Sequence, residues 1–247
     1  MPKFMNMDDV DAQKTLSNFE FSGKRPDALQ ASEYTIATIV VDESGSVGGF
    51  KAELEKALKS CIGACKKHPR AENILARATA FNTSVREIHG FGEVTGIKED
   101  DYDGSINPDG GTALFDATLE GLEATQQYNK SLFDMDYLCN AIMFVITDGD
   151  DNSSRIGNPT KIKNLIAKIR KEEKLESIKV VLVGVGDQTS MQAYLDKFKD
   201  DAGLDQFVWI GDATPSKLAK LADFISKSVS SSSQALGSGG TSQDITF

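Results

Sequence analysis

A chain of 247 residues with 37 acidic against 27 basic side chains carries a formal net charge of −10. That balance sets it against non-specific binding to nucleic acid or to an anionic membrane, both of which need positive surface. The length fits one large domain or one domain with appendages, and the odd count of three cysteines offers no disulfide framework.

Residues 1–32 are polar and aperiodic, and Gly23, Lys24, Arg25 and Pro26 interrupt any element, so the stretch reads as a partly extended N-terminal arm. Its start is acidic, with no basic region followed by an apolar one, so no signal peptide is expected. Nor is there a run of about 18 apolar residues that could span a membrane. A cytoplasmic setting is the expectation. The first apolar run, near Tyr34 to Val41, predicts a strand. After a loop, Phe50, Leu54, Ala57, Leu58, Cys61 and Cys65 recur at three- and four-residue steps, an amphipathic helix that buries reduced thiols. Asn73 to Phe81 and Val85 to Phe91 are short mixed runs joined by Asn82-Thr83-Ser84, a hairpin-like connection. Glu93 to Gly111 holds too many Asp and Gly breakers for an element.

A helix follows from about Thr112 to Tyr128, with Phe115, Leu119 and Leu122 on one face. Ala141 to Thr147 predicts a second strongly buried strand, ended by Asp148. Lys161 to Lys174 is helical, with Ile162, Leu165, Ile166 and Ile169 as its apolar stripe. Ile178 to Val185 is a third buried strand, and Met191 to Lys199 a helix with Ser190 as its cap. Gln206 to Ile210 makes a short last strand. Pro215 sits at the first position of a final helix whose buried stripe is Leu218, Leu221, Ala222, Ile225 and Val229. Ser230 to Gln243 has the Ser/Gly composition of a flexible linker and leads to the apolar tag Ile245-Thr246-Phe247. The division is therefore an arm (1–32), one domain (33–230) and a tail (231–247). Alternating strands and helices make the domain α/β: three-layered, doubly wound and Rossmann-like. Its central sheet is mostly parallel, with one antiparallel strand from the hairpin.

The chemistry concentrates in Ile39-Val40-Val41-Asp42-Glu43-Ser44-Gly45-Ser46-Val47-Gly48. A Val/Ile run typical of a strand buried on both faces ends in a carboxylate, and two hydroxyls follow at every second position. In open α/β sheets ligands bind at this carboxyl edge. Small oxygen donors without nitrogen or sulfur suit a hard cation. Later, Pro108-Asp109-Gly110-Gly111-Thr112 sets a Thr after paired glycines just before a helix, and Thr147-Asp148-Gly149 sets a carboxylate after a buried strand.

The D-x-S-x-S pattern, then the Thr, then the Asp, resembles the metal-ion-dependent adhesion site (MIDAS) of von Willebrand factor A domains, over roughly residues 34–229. The resemblance implies a coordinating set of Asp42, Ser44, Ser46, Thr112 and Asp148, with the hydroxyls binding directly and the carboxylates directly or through water. It implies Mg2+ as the ion, with Mn2+ or Ca2+ compatible, and a position open to a partner's Asp or Glu carboxylate. Asp116 fits a place behind the metal, receiving hydrogen bonds from the metal loops, or is a helix-face carboxylate with no such part. With no secretion signal, the chain resembles the intracellular bacterial or phage type of A-domain protein. Such relatives work beside AAA+ ATPases of the MoxR type or in stress-response systems.

Rival chemistries fare worse. Ser46 stands one residue away from a G-x-S-x-G elbow, and the only histidines, His68 and His89, come too early in the chain for a hydrolase. Asp148-Gly149-Asp150 imitates a phosphotransferase D-x-D, but after the wrong strand. Asp150, Asp151 and Asn152 read instead as an acidic rim. Cys61, Cys65 and His68 supply only three zinc ligands, and neither a dinucleotide nor a P-loop fingerprint is complete. The expected function is a non-enzymatic, metal-dependent protein-binding adaptor. The alternative is a structural subunit that docks neighbours through arm and tail, with the metal only stabilising loops.

Overall fold

The structure, a computed structural model, describes residues 10–239 and 246–247. Residues 1–9 of the arm and 240–245 of the tail, Ile245 included, lie outside the described residues. Among the described residues eight strands form one sheet in the order β1-β2-β5-β4-β3-β6-β7-β8. In chain order they are β1 (Val10–Lys14), β2 (Glu20–Lys24), β3 (Glu33–Asp42), β4 (Ile74–Phe81), β5 (Val85–Glu93), β6 (Leu138–Thr147), β7 (Ile178–Gly184) and β8 (Gln206–Trp209). The helices are α1 (Lys51–Lys66), α2 (Leu114–Phe133), α3 (Pro159–Lys171), α4 (Thr189–Ala202) and α5 (Pro215–Ser238).

Strands β4, β3, β6, β7 and β8 run parallel, as α/β connections require, and β5 opposes them as the hairpin predicts. Along β3 the side chains alternate. Ala37, Ile39 and Val41 pack under α1 and α5, while Ile36 and Val40 pack under α2. Both faces are covered, which is why the strand reads as one apolar run. Helices α1 and α5 lie on one face and α2, α3 and α4 on the other, a three-layer, Rossmann-like α/β fold. Cys61 and Cys65 are free thiols buried on the inner side of α1. Among the described residues no helix is long and apolar enough to cross a membrane.

Three expectations change. The described part of the arm is a hairpin of the sheet: β2 lies parallel to β5 with Gly23 opposite Phe91, and β1 closes against β2. A second strand therefore opposes the main direction. Only Phe21 anchors this hairpin by apolar burial, edge-on to Phe91. Its neighbours Ser22 and Gly23 are small because β2 lies so close to its surroundings. A Cβ on Gly23 would sit 2.6 Å from the Tyr128 ring. The expected flexible linker from Ser230 is helical through Ser238. There Ser232 and Ser233 face inward, Asn140 Nδ2 donates to the Ser232 carbonyl, and Arg70 Nε donates to Ser233 Oγ. Finally, α4 starts at Thr189 after Gln188, so Ser190 lies inside the helix and does not cap it.

Candidate metal centre

Strand β3 ends at Asp42, beside the end of β6, because the register pairs Val41 with Ile146. Thr147 Oγ1 accordingly donates to Asp42 Oδ2 at 2.6 Å, and the Ser44 amide donates to Asp42 Oδ1 at 2.7 Å. Both carboxylate oxygens are thus fixed at the mouth of the sheet. The next loop turns in a 3-10 segment, Gly45–Gly49, which brings Ser44 Oγ to 3.1 Å from Ser46 Oγ. Ser46 Oγ donates to Asp148 Oδ1 at 2.9 Å, so the first and third loops meet directly.

The second loop is held from both sides. Gly45 N donates to the Gly110 carbonyl, and Ala113 N donates to that of Asn82. Gly110 has φ +67°, the left-handed conformation glycine permits. Gly111 is required for another reason: a Cβ there would lie 2.5 Å from Asn152 Oδ1 and from Ser153 Oγ. That close approach lets Asn152 grip Thr112 twice, accepting from its amide at 2.8 Å and donating to its carbonyl at 3.0 Å. The Thr112 hydroxyl faces the Asp148 loop, 3.5 Å from where a Gly149 Cβ would be.

Asp42, Ser44, Ser46 and Asp148 therefore form one connected oxygen cluster, with Thr112 against its third loop. Asp116 is placed differently from a residue bonded to the ligands. Its carboxylate accepts the backbone amides of Arg155 and Ile156, both at 2.9 Å, and that of Gly157. It pins the loop that carries Asn152, and so reaches Thr112 only through that loop.

Sequence reasoning missed Glu43, Thr147 and Asn152. Glu43, almost fully buried, accepts from the Asn107 amide at 2.8 Å and from Arg86 at 2.7 Å, tying the first loop to the one that leads to Thr112. It occupies a variable position of the pattern, so only the fold reveals it. Asn152 carried a hint in its place just after Asp148, but was read as rim.

The electrostatics fit a cation. Burial pushes the Asp42 carboxyl up to about 6, against hydrogen bonds from Thr147 and Ser44 that favour the charged form; nearby Asp148 raises it further. Asp148 is raised as well, again chiefly by burial, with the Ser46 hydroxyl opposing. Two carboxylates that burial and proximity make reluctant to ionise, among hydroxyls only, suit a divalent hard cation. No group of three or more His, Cys, Asp or Glu side chains that could hold a metal occurs among the described residues, so a softer all-N/S site is not built here. A cleft of about 300 Å3 opens beside Asp148, lined by Phe50, Met191 and Ala213 with Asp187 and Asp212 at its edge. The histidines lie elsewhere: His89 is buried against the Tyr102 hydroxyl at 2.6 Å, and His68 sits beyond α1, near Gln234.

No family model matches the chain, and neither does any curated protein. Solved structures do. The PilB minor pilin from Streptococcus sanguinis superposes with a TM-score of 0.55 at 17% identity, over 86% of this chain and 64% of that one. Proximal thread matrix protein 1 (PTMP1) from the mussel byssus gives 0.54 at 18% identity, over 82% of this chain and 48% of that one. The likeness shows a Rossmann-like, three-layer fold. PTMP1 has also been solved with its MIDAS motif occupied by zinc, a structure similar to this chain at 18% identity with a TM-score of 0.50. The chain spans less than two thirds of the length of either protein.

Proposed function

We propose that the chain is a von Willebrand factor A domain with an intact MIDAS, a non-enzymatic module that grips an acidic side chain of a protein partner through a divalent cation. The observation that carries this reading is the oxygen cluster where the ends of β3 and β6 meet. Asp42, Ser44, Ser46 and Asp148 are linked within 3.1 Å, and Thr112 is clamped against them by Asn152. Held by these five residues, the ion supplies a Lewis-acidic position for a carboxylate. The hydroxyls of Ser44, Ser46 and Thr112 bring no charge, so the two carboxylates no more than balance a divalent ion and leave no excess negative charge at the metal to repel an incoming anion. Mg2+ fits best, since small hydroxyl and carboxylate oxygens on short loops favour a compact octahedral ion over a larger one.

Asp116 and Glu43 hold the loops before metal or partner arrives, which lowers the ordering cost of binding. The cleft beside Asp148 gives the residue next to the gripped carboxylate a place to lie. Binding without catalysis is part of this reading, and it is supported by the placement of His89 and His68 away from Ser46, which offers no serine–histidine pair there. The partner is a cytoplasmic protein, with a MoxR-type AAA+ ATPase as the first to examine.

An affinity capture from native lysate, run in parallel with Mg2+ and with EDTA, tests this reading. A partner held only with Mg2+, and lost with Asp42→Ala, is the expected result. Equal retention in EDTA overturns it.

A second reading has its own observation. Among the described residues, strand β1 leaves one sheet edge unpaired, and Phe247 packs edge-on to Phe224 with its ring half exposed. A subunit that docks neighbours through arm and tail would use both, and a pilin and a byssus protein share the fold. Removing residues 240–247 shrinks the assembly under this reading; an unchanged size counts against it.

A further inference from the structure

A cavity of about 200 Å3 lies at the end of the molecule opposite the metal loops, between the last turns of α2 and α3. The β1–β2 turn contributes Leu16 to its lining, the most exposed large apolar side chain among the described residues at 76%. Three features of its wall belong together. Leu16, Ile169 and Leu175 make it apolar on one side. On the other stand Lys130, Lys168 and Lys174 with the single carboxylate of Glu172, a net positive patch in a chain of net charge −10.

The third feature is Asn129, only 2% exposed. Its Nδ2 donates to the Lys174 carbonyl at 2.9 Å, while its Oδ1 meets no donor among the described residues. A buried acceptor left unpaired is destabilising, and a ligand N–H or O–H relieves it.

Helix ends explain part of this. Lysines in a last turn complement the carbonyl end of the helix dipole, which accounts for Lys130 on α2 and Lys168 on α3. Lys168 also meets Glu172 at 3.7 Å. Lys174 stands beyond the end of α3, over the Phe133 ring, and neither it nor Lys130 forms an ion pair among the described residues. Two unpaired ammonium groups, an apolar wall and an acceptor awaiting a proton donor define a ligand.

We infer that this cavity binds a small organic carboxylate that carries a hydrogen-bond donor and an apolar arm. The carboxylate meets Lys130 and Lys174, the donor serves Asn129, and the arm lies along Ile169 and Leu175. A free amino or hydroxy acid has this chemistry, and so does the C-terminal residue of a peptide chain.

The test is a 1H–15N NMR titration of the full chain with N-acetylleucine. Parallel titrations use leucine, N-acetylleucinamide, which lacks the carboxylate, and 4-methylpentanoate, which lacks the donor. The expected result is saturable shifts confined to the Asn129 side-chain amide and the backbone of Ile169 and Lys174. Affinity falls at least about tenfold for N-acetylleucinamide, for 4-methylpentanoate and in the Lys130→Gln/Lys174→Gln variant. N-acetylleucine binding tighter than leucine identifies a chain end as the ligand; the reverse order identifies a free acid. Mg2+ affinity at the loop site stays unchanged in the variant, showing that it is folded. Absence of saturation below about 10 mM overturns the inference. So does equal binding of the carboxamide or by the double variant.

Discussion

The two ends of the molecule treat buried charge in opposite ways. At the hairpin end Arg77, only 1% exposed, is matched on both sides: its guanidinium donates to Glu120 at 2.6 and 3.1 Å and to Glu87 at 2.9 Å. Glu87 in turn accepts from the Ser22 amide, which fastens β2 to the sheet. The neighbouring turn is fastened the same way, with Ser17 donating twice to Glu123. At the metal end Asp42 and Asp148 face each other with hydroxyls and, among the described residues, no cationic side chain bonded to either. A satisfied network closes a structure, whereas an unneutralised carboxylate pair leaves an opening for an ion.

Breaking the closed end has the largest expected effect. Arg77→Met strands Glu120 and Glu87 in the interior, and loss of one side of a buried pair costs about 3–5 kcal/mol. The urea midpoint should drop accordingly. An unchanged midpoint would mean that the hairpin closes without this network.

The open end should respond the other way round. Asp42→Asn keeps the shape but removes a ligand charge. For the parent chain, Mg2+ at about 100 times its Kd should stabilise folding by about 2.7 kcal/mol, and this gain should vanish in the variant. A variant that still melts later with Mg2+ would place the ion elsewhere.

A smaller effect separates holding from ligating. Asn152→Ala removes the side-chain half of the Thr112 clamp, leaving the backbone donation to its carbonyl, and should weaken Mg2+ about 10-fold, the lower end of the range typical of residues behind metal ligands, with little change in metal-free stability. Calorimetry that finds equal Mg2+ affinity in the two proteins would remove Asn152 from the site.

The smallest effect is a pH slope. Burial lowers the basicity of His89, so the folded protein keeps it neutral while the unfolded chain takes up a proton below its ordinary value of 6.5. Stability from this group is complete above 6.5 and is lost as pH falls from there toward the folded value, at most about 1.4 kcal/mol per pH unit. His89→Phe should flatten that part of the stability curve relative to the parent chain. Parallel curves would show that His89 does not titrate on unfolding.

How much was legible follows from which physics is local. A strand buried on both faces must be apolar throughout, so β3, β6 and β7 stand out by composition. The candidate ligands are legible for the same reason, since each carboxylate directly ends such a strand and each hydroxyl sits at fixed spacing from it or from a helix start. The β1–β2 hairpin is not legible. Its place depends on one phenylalanine, two small residues and side chains from β5 and α2, so no periodicity marks it. The same holds for the end of α5, where serines that favour a linker by composition become helical because Arg70 and Asn140 meet them across the core.

By itself, then, the sequence determined the alternation of strand and helix, the buried stripes and the oxygen-only character of the loops, because burial and ligand chemistry are properties of short stretches. Only the tertiary structure decided that Asp116 pins a loop, that Glu43 and Asn152 hold the loops in place, and that the arm completes the sheet. Each of these depends on groups tens of residues apart meeting at hydrogen-bond distance, and no local pattern encodes such a meeting.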